Sequence, residues 1–252
     1  MAPRKLVAGN WKMHGLSSDL VQVETIAEQA GLYPAVDVAL CVPAILIERA
    51  VRAAPGFALG GQDVHHADKG AHTGCTSAQM LRDAGARLTI VGHSERREAQ
   101  RESDSEVKSK GEAALAIGLD VILCVGESLD VRQAGRALDT VLAQLHGSLP
   151  AIPAGDAELA VAYGPIWAIG TGKVPTIAEI AEMHGAIRAS LRQRFAAAGE
   201  HMRILYGGSV KGANAAEIFA VANVDGALVG GASLTAADFI PIVAAAAGSQ
   251  PG

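Results

Sequence analysis

The chain has 252 residues, 50% of them hydrophobic, which is enough to bury the core of one large domain or two small ones. A net charge of −5 excludes a nucleic-acid backbone as the expected partner, although local positive groups can still bind a small anion. No segment approaches the roughly 18 uninterrupted apolar residues of a membrane span, and three cysteines without CxxC spacing indicate no disulfide framework. We therefore predict a cytoplasmic protein with no membrane partner.

Eight short apolar or β-branched runs alternate with longer amphipathic segments along the chain. Eight such units of roughly 30 residues match a (β/α)8 barrel of ~250 residues. A doubly wound sheet would usually show fewer strands and a GxGxxG turn, which this chain does not have. The sequence therefore predicts one α/β domain over residues 1–252, with eight parallel strands in a barrel. The predicted strands are Leu6–Ala8, Val36–Val42, Ala58–Gln62, Leu88–Val91, Val121–Val125, Leu159–Tyr163, Ile204–Tyr206 and Ala227–Val229.

Helix starts between the strands are marked by short polar side chains, which accept hydrogen bonds from the first backbone N–H groups of a helix. One of these sets, Asn214 to Glu217, is similar to a capping box. The last helix is predicted to end near Gly248. The predicted starts are Ser18-Asp19, Ser103-Asp104, Thr176, Asn214–Glu217 and Thr235.

The loop after the first strand places Asn10 and Lys12 two residues apart. Extended backbone points such residues in the same direction, and functional groups of a barrel lie where its strands end, so both would face the barrel opening. An amide and an ammonium there would hold an anionic substrate and stabilise developing negative charge. A solvated surface lysine is the alternative interpretation.

The third loop is long and carries three histidines, His65, His66 and His72. No carboxylate or thiolate stands beside them with convincing ligand spacing, so we predict no metal site. A protruding arm around Thr73 is the favoured interpretation.

His93 follows the fourth strand, where a single histidine is either a hydrogen-bonded structural residue or a catalyst. The residues after it, Ser94 to Arg96, form a predicted helix start. Helix N–H groups disfavour an imidazolium, so they would keep His93 neutral and able to donate a hydrogen bond to a carbonyl.

The fifth strand contains Cys124, and Glu127 follows it. We predict that Cys124 is a small buried apolar residue rather than a nucleophile, because nothing marks its thiolate as stabilised. Glu127 is predicted to brace the loop after the sixth strand rather than to act as a base.

The loop after the sixth strand has an apolar middle, Ile166–Ile169. A loop of about a dozen residues with such a middle is poorly suited to solvent unless it folds down onto something, as a lid does. The glycines that follow leave backbone N–H groups uncovered, as phosphate binding requires. An ordinary flexible loop is the alternative, and a P-loop does not fit, because Trp167 stands where its glycine is needed. The predicted lid comprises Pro165, Ile166, Trp167, Ala168, Ile169, Gly170, Thr171, Gly172 and Lys173.

Two glycine turns follow the last two strands, Gly207-Gly208-Ser209 and Gly230-Gly231. Either alone is often only a turn. Together they occupy the two loops where barrel enzymes frequently bind phosphate through backbone N–H groups and a helix N-terminus. With Gly170 they predict a phosphate cup of three sides.

These motifs resemble those of the triosephosphate isomerase family, in family order and over nearly the whole chain. The residues Gly-Asn-Trp-Lys-Met at 9–13 and Gly-His-Ser-Glu-Arg-Arg at 92–97 resemble its first and most specific motifs. Residues 162–172 are similar to its Ala-Tyr-Glu-Pro-Val/Ile-Trp-Ala-Ile-Gly-Thr-Gly and differ at one position, because the family's catalytic glutamate is Gly164 here. The resemblance implies a TIM barrel that interconverts dihydroxyacetone phosphate and D-glyceraldehyde 3-phosphate through an enediolate, in glycolysis and gluconeogenesis, without metal or organic cofactor.

The resemblance also implies roles for single residues. His93 would polarise the substrate carbonyl and move protons between oxygens, while Lys12 stabilises charge and Glu95 organises Lys12. The residues at the family's phosphate-binding positions are Asn10, Lys12, Gly170, Ser209, Gly230 and Gly231.

The arm at 70–77 resembles the family's interface loop, so the resemblance implies a homodimer in which Thr73 approaches the partner's active site. Cys75 departs from the family pattern, which often has a glutamate there that pairs with the partner's arginine at the position of Arg96. This difference puts the ion pair in doubt but not the dimer.

Gly164 leaves the role of the base vacant, so we predict that isomerase activity is strongly impaired. Either the base was deliberately replaced, which makes the chain an active-site mutant, or a natural relative is now a catalytically silent triose-phosphate-binding barrel. A different phosphate-binding barrel enzyme, such as a lyase, would need Glu95 or Glu127 as a replacement acid or base. Their family roles make both poor proton acceptors from carbon.

Overall fold

Eight parallel strands close into a barrel in chain order, in a computed structural model that describes residues 3–151, 156–169 and 174–249. The last strand pairs with the first, with Leu6 opposite Gly226. The predicted single-domain (β/α)8 TIM barrel is therefore confirmed. The strands are β1 (Leu6–Asn10), β2 (Asp37–Cys41), β3 (Ala58–Gly61), β4 (Leu88–Val91), β5 (Asp120–Val125), β6 (Leu159–Tyr163), β7 (Ile204–Tyr206) and β8 (Gly226–Val229).

Helices connect the strands and pack against the outer surface of the barrel. None of the helices in the described part of the chain has the length and apolar character that a membrane crossing requires. Their bounds are α1 (Leu20–Ala30), α2 (Ile47–Ala53), α3 (Ala78–Asp83), α4 (Ser94–Ala99), α5 (Asp104–Ala116), α6 (Leu129–Gln133), α7 (Ala137–Ser148), α8 (Ile177–Phe195), α9 (Ala197–His201), α10 (Gly212–Phe219) and α11 (Ala236–Gly248).

Successive strand residues face opposite sides of the sheet and so build two separate apolar layers. In β5, Leu123 packs against the helices, whereas Cys124 faces the barrel interior in register with Ala162. Complete burial raises the pKa of the Cys124 thiol to about 12. Cys124 is thus the small buried residue that the sequence predicted, and its thiol is held neutral.

Most of the predicted helix starts are confirmed by hydrogen bonds. The side chains of Ser103, Thr176 and Thr235 each accept from a backbone N–H in the first turn of α5, α8 and α11. The prediction at Asn214 is wrong, because α10 already begins at Gly212. Asn214 lies inside the first turn, and its Oδ1 accepts from the N–H of Lys211 at 2.8 Å. An asparagine in the first turn that accepts from a preceding N–H cannot be distinguished, from sequence alone, from an asparagine at the N-cap.

Parallel strands bring all their carboxyl ends to one end of the barrel, which we call the barrel mouth. Asn10 is the last residue of β1, and His93 and Gly164 follow β4 and β6 closely. These residues are distant in sequence but share the mouth, as the strand-end argument predicted.

Candidate active site

Lys12 is fixed at the mouth by its backbone. Its φ of 54° is in the left-handed region, which a residue with a side chain adopts only when its surroundings hold it there. Asn10 Oδ1 accepts from the Lys12 N–H at 2.9 Å, and Gln62 Nε2 donates to the Lys12 carbonyl at 2.9 Å. The mouth therefore holds Lys12 through its main chain, independently of its ammonium group.

The Lys12 ammonium group forms an ion pair with Glu95, with Nζ 2.5 Å from Oε1. Its side chain remains 25% exposed, and its Cε lies 3.6 Å from the position that a Cβ on Gly230 would occupy. Glu95 thus orients Lys12 beside the last glycine turn, which is the contact expected for Glu95.

His93 is neutral and has a defined tautomer. Burial lowers the pKa of His93 to about 4, against a smaller opposing effect of Glu95. Its Nδ1 accepts from the backbone N–H of Glu95 at 3.3 Å, at the start of α4. Because Nδ1 is the acceptor, the ring proton of the neutral form lies on Nε2. This agrees with the predicted neutral state, although the main cause of the lowered pKa is desolvation and not the helix N–H groups.

The two glycine turns lie on one side of the mouth. Gly231 opens a short 3₁₀ turn, Gly231–Ser233, whose last carbonyl accepts from Trp11 Nε1 at 2.9 Å. A cavity of about 360 Å³ separates the turns from Lys12 and His93. Its other lining residues include Asn10, Ser209, Lys211, Gly230 and Ile169. Small backbone-rich turns, a cation and a neutral imidazole thus meet around one space of small-molecule size.

Gly164 borders the same region from the β6 side. Its backbone is outside the left-handed region, so an L side chain fits its conformation. A Cβ built on it would lie 3.3 Å from Ile169 Cδ1 and 3.4 Å from the Gly207 carbonyl oxygen. A second cavity of about 20 Å³, lined by Gly164, Ile169 and His93, remains beside it. A Cβ at position 164 is therefore accommodated after a shift of a few tenths of an ångström in Ile169.

Comparison with known proteins agrees with this geometry. The family model described as triosephosphate isomerase matches residues 5–246. The chain belongs to the triosephosphate isomerase family. A triosephosphate isomerase from Ruegeria sp. is 58% identical, and the match covers 98% of this chain and 99% of that protein. One from Ruegeria pomeroyi is 56% identical over 96% of this chain and 97% of the relative.

A solved structure gives the same result in three dimensions. The crystal structure of triosephosphate isomerase from Bartonella henselae matches with a TM-score of 0.88 and 43% sequence identity. The match covers 96% of this chain and 98% of that one. The relatives in this family are isomerases, which makes isomerisation the chemistry to be explained at the mouth.

The first half of the predicted lid is anchored beneath the mouth. Ile166–Ala168 forms a 3₁₀ turn, and the Ile166 N–H donates to the Glu127 carbonyl at 3.0 Å. The Glu127 side chain accepts from Trp167 Nε1 at 3.0 Å. Glu127 thus braces the lid, as predicted. The predicted lid and phosphate residues Gly170, Thr171, Gly172 and Lys173 lie outside the described residues.

The predicted arm is exposed from Gly70 to Cys75, including Thr73. The His65 ring stacks on that of His66 at a centroid distance of 4.4 Å and contacts the tilted ring of His72 at 4.0 Å. The described residues contain no group of three or more potential ligands that could hold a metal ion.

Arg96 is bound within its own chain. It pairs with Asp63 at 2.8 Å and with Glu102 at 2.7 Å, and Lys110 reaches the same two carboxylates. The arginine therefore has anionic partners whatever residue a second subunit presents, which is consistent with Cys75 in the arm.

Sequence reasoning missed Gln62 and Lys211. Gln62 comes one residue after β3 and contacts the Lys12 backbone, so the strand-end rule that selected Asn10 would have found it. Lys211 lines the larger cavity and precedes α10. The sequence could have indicated Lys211, because it is a cation two residues after Ser209, in the turn where a phosphate would lie.

Proposed function

We propose that the mouth binds a triose phosphate and that the chain is built to interconvert dihydroxyacetone phosphate and D-glyceraldehyde 3-phosphate. The observation that carries this proposal is the convergence of Lys12, neutral His93 and two glycine turns on one cavity of about 360 Å³. We assign the phosphate to the turns at Ser209 and Gly230-Gly231, where backbone N–H groups suit an anion.

The chemistry needs a proton removed from a carbon beside a carbonyl, which places negative charge on the carbonyl oxygen. His93 Nε2–H is assigned as the donor to that oxygen and to the neighbouring hydroxyl oxygen in turn. The Lys12 ammonium group, held by Glu95, adds a positive charge beside the developing enediolate. Neither role requires a metal or an organic cofactor.

The remaining role, that of the carbon base, is assigned to position 164. Gly164 has no side chain, so the proposal includes a strongly impaired rate for this chain. A positioned general base contributes typically ~10²–10⁴-fold. The neighbouring carboxylates do not replace it, because Glu95 is paired with Lys12 and Glu127 is bound to Tyr163 and Trp167.

Restoring the side chain is the direct test. Gly164→Glu should raise kcat/KM for triose-phosphate isomerisation by at least ~10²-fold, measured in a coupled assay in both directions. Gly185→Glu is the matched control, since a side chain at Gly185 on α8 would meet nothing within 4 Å. An equally inactive Gly164→Glu that still bound glycerol 3-phosphate in calorimetry would leave a silent binding barrel. Loss of both would refute the proposed substrate class.

We also propose a homodimer formed through the arm. Large apolar side chains near the mouth are exposed in the single chain, with Met13 95% and Ile45 83% exposed. A second copy would cover such residues, and light scattering at micromolar concentration should give twice the mass of 25.7 kDa. The same proposal places the reaction in glycolysis and gluconeogenesis and, with three free cysteines, in the cytoplasm.

A further inference from the structure

Side chains outside the lid connect Trp167, in the first half of the lid, to the start of α8. Trp167 Nε1 donates to Glu127 Oε1, and the Trp167 ring lies 5.5 Å from the guanidinium carbon of Arg132. Arg132 also pairs with Glu127, with NH1 3.4 Å from Oε1. Arg132 thus contacts both the lid tryptophan and the carboxylate that braces it.

Further along the chain, α8 begins immediately after Thr176. Glu179 is the third residue of that helix, and its Oε2 accepts from the Thr176 N–H at 2.7 Å. Its other oxygen, Oε1, accepts from Arg132 Nε at 3.2 Å and NH2 at 2.6 Å. One carboxylate therefore holds the backbone at the start of α8 and the arginine that contacts the lid tryptophan.

We propose that Glu179, acting through Arg132, is a positioning residue that couples the first half of the lid to the start of α8. The proposal rests on the proposed function, because it gives the lid a role in holding a phosphate-bearing ligand. A change in the position of Trp167 displaces Arg132, and Arg132 is bound to the group that fixes Thr176. Trp167 and Thr176 consequently respond together when a ligand is bound.

A helix cap alone would use one oxygen of Glu179, whereas both of its oxygens are bound. The capping box requires one acceptor oxygen of Glu179 for the Thr176 N–H, and a glutamine supplies that oxygen as well. The second oxygen and the negative charge serve Arg132, whose side chain is only 17% exposed. Arg132 lowers the pKa of Glu179, so the carboxylate is charged at neutral pH. Glu179→Gln therefore keeps the cap and removes the charged contact.

The test compares Glu179→Gln with Glu200→Gln in the full chain. Glu200 pairs with Arg192 near the other end of α8 at 2.6 Å, and both side chains are about half exposed. The probe is glycerol 3-phosphate, and its binding is measured by calorimetry and by tryptophan fluorescence. The variant Trp167→Phe identifies the part of the fluorescence change that comes from the lid. Glu179→Gln should weaken binding about three- to tenfold and reduce the fluorescence change, since a partly buried ion pair is lost. Glu200→Gln should change neither.

A kinetic readout separates positioning from simple stability. In the Gly164→Glu background, Glu179→Gln should raise KM more than it lowers kcat, whereas a loss of helix stability alone would lower the melting temperature and leave both constants unchanged. The double variant Arg132→Met/Glu179→Gln should bind no more weakly than Arg132→Met, because both changes break one connection.

Three results would overturn the inference. If Glu179→Gln matched Glu200→Gln in affinity and fluorescence, the coupling would be absent while the proposed function stood. Additive losses in the double variant would show that Arg132 and Glu179 act separately. If the parent chain bound no glycerol 3-phosphate, the proposed function would fail, and this inference with it.

Discussion

Charged side chains gather at both ends of the barrel, but they are arranged differently. At the amino ends of the strands, which we call the barrel foot, charges bind one another or backbone groups. The residues of the barrel foot are Lys5, Asp37, Asp120, Glu158, Arg188, Arg203 and Asp225. Arg203 pairs with Asp37 at 2.7 Å and with Glu158, and Arg188 pairs with Asp225 at 2.6 Å. At the mouth, Lys12 and His93 line an open cavity.

Cavity size does not distinguish the two ends. The foot has a cavity of about 390 Å³, and the mouth cavity beside Lys12 has about 360 Å³. What differs is the state of the cations, since Arg188 uses its guanidinium on Asp225 and on two backbone carbonyls. A buried charge that is fully paired has no contact left to offer a ligand, whereas Lys12 is paired only with Glu95 and stays 25% exposed at the edge of a cavity.

The largest expected effect at the foot follows from Arg188→Met. The change would leave Asp225 buried without its ion-pair partner and the carbonyls of Gly199 and Met202 without a donor. Breaking a buried pair in this way costs about 3–5 kcal/mol. Thermal unfolding should show a melting temperature lower by roughly 10 °C. Glycerol 3-phosphate affinity, measured where the variant is folded, should match the parent, and a tenfold loss would mean that foot and mouth are not independent.

A pair of lysine variants sharpens the same comparison. Lys5 Nζ donates to the carbonyls of Phe219 and Val224 at the foot, while Lys12 faces the mouth cavity. Lys12→Met should weaken glycerol 3-phosphate binding about 10- to 100-fold, the effect of one charge-assisted contact of ~1.5–3 kcal/mol. Lys5→Met should lower the melting temperature and leave that affinity unchanged. Calorimetry and thermal unfolding of both variants test this difference. An equal loss of glycerol 3-phosphate affinity in the two variants would contradict it.

The fold could be predicted because each strand is a short apolar run that must be buried, wherever the rest of the chain lies. Asn10, Lys12 and His93 could be found for a related reason, since parallel strands bring their carboxyl ends together. Residues that act through contacts distant in sequence gave no such signal. Gln62 holds Lys12 and Arg132 holds Glu179 across large separations, and only the folded chain brings each pair together.

Local signals were weakest where a polar side chain has two possible uses. Asn214 is a residue type that favours the N-cap position, but here it lies inside the first turn of α10 and accepts from the Lys211 N–H. The neutral state of His93 was predicted from the helix start that follows it, whereas burial contributes more. Burial depends on the closed barrel, so its size could not be deduced from neighbouring residues.

The smallest expected effect concerns His93 and the pH dependence of stability. An unfolded histidine has a pKa of ~6.5, and burial lowers the pKa of folded His93 to about 4. As the pH falls from ~6.5 towards 4, the unfolded state binds the proton first, so the native state loses stability over that range. From pH 7 to pH 5 the loss due to this residue should approach ~2 kcal/mol.

In urea unfolding, His93→Gln should therefore lose less stability than the parent over this interval, and Gln can still cap α4. His201→Gln is the matched control, because His201 on α9 is exposed. His184, whose pKa burial also lowers to about 4, keeps a pH dependence in every variant. If His93→Gln and the parent showed the same slope, His93 would already take up its proton near pH 6.5 in the folded chain. The neutral hydrogen-bond donor required by the proposed function would then be absent at the lower end of this range.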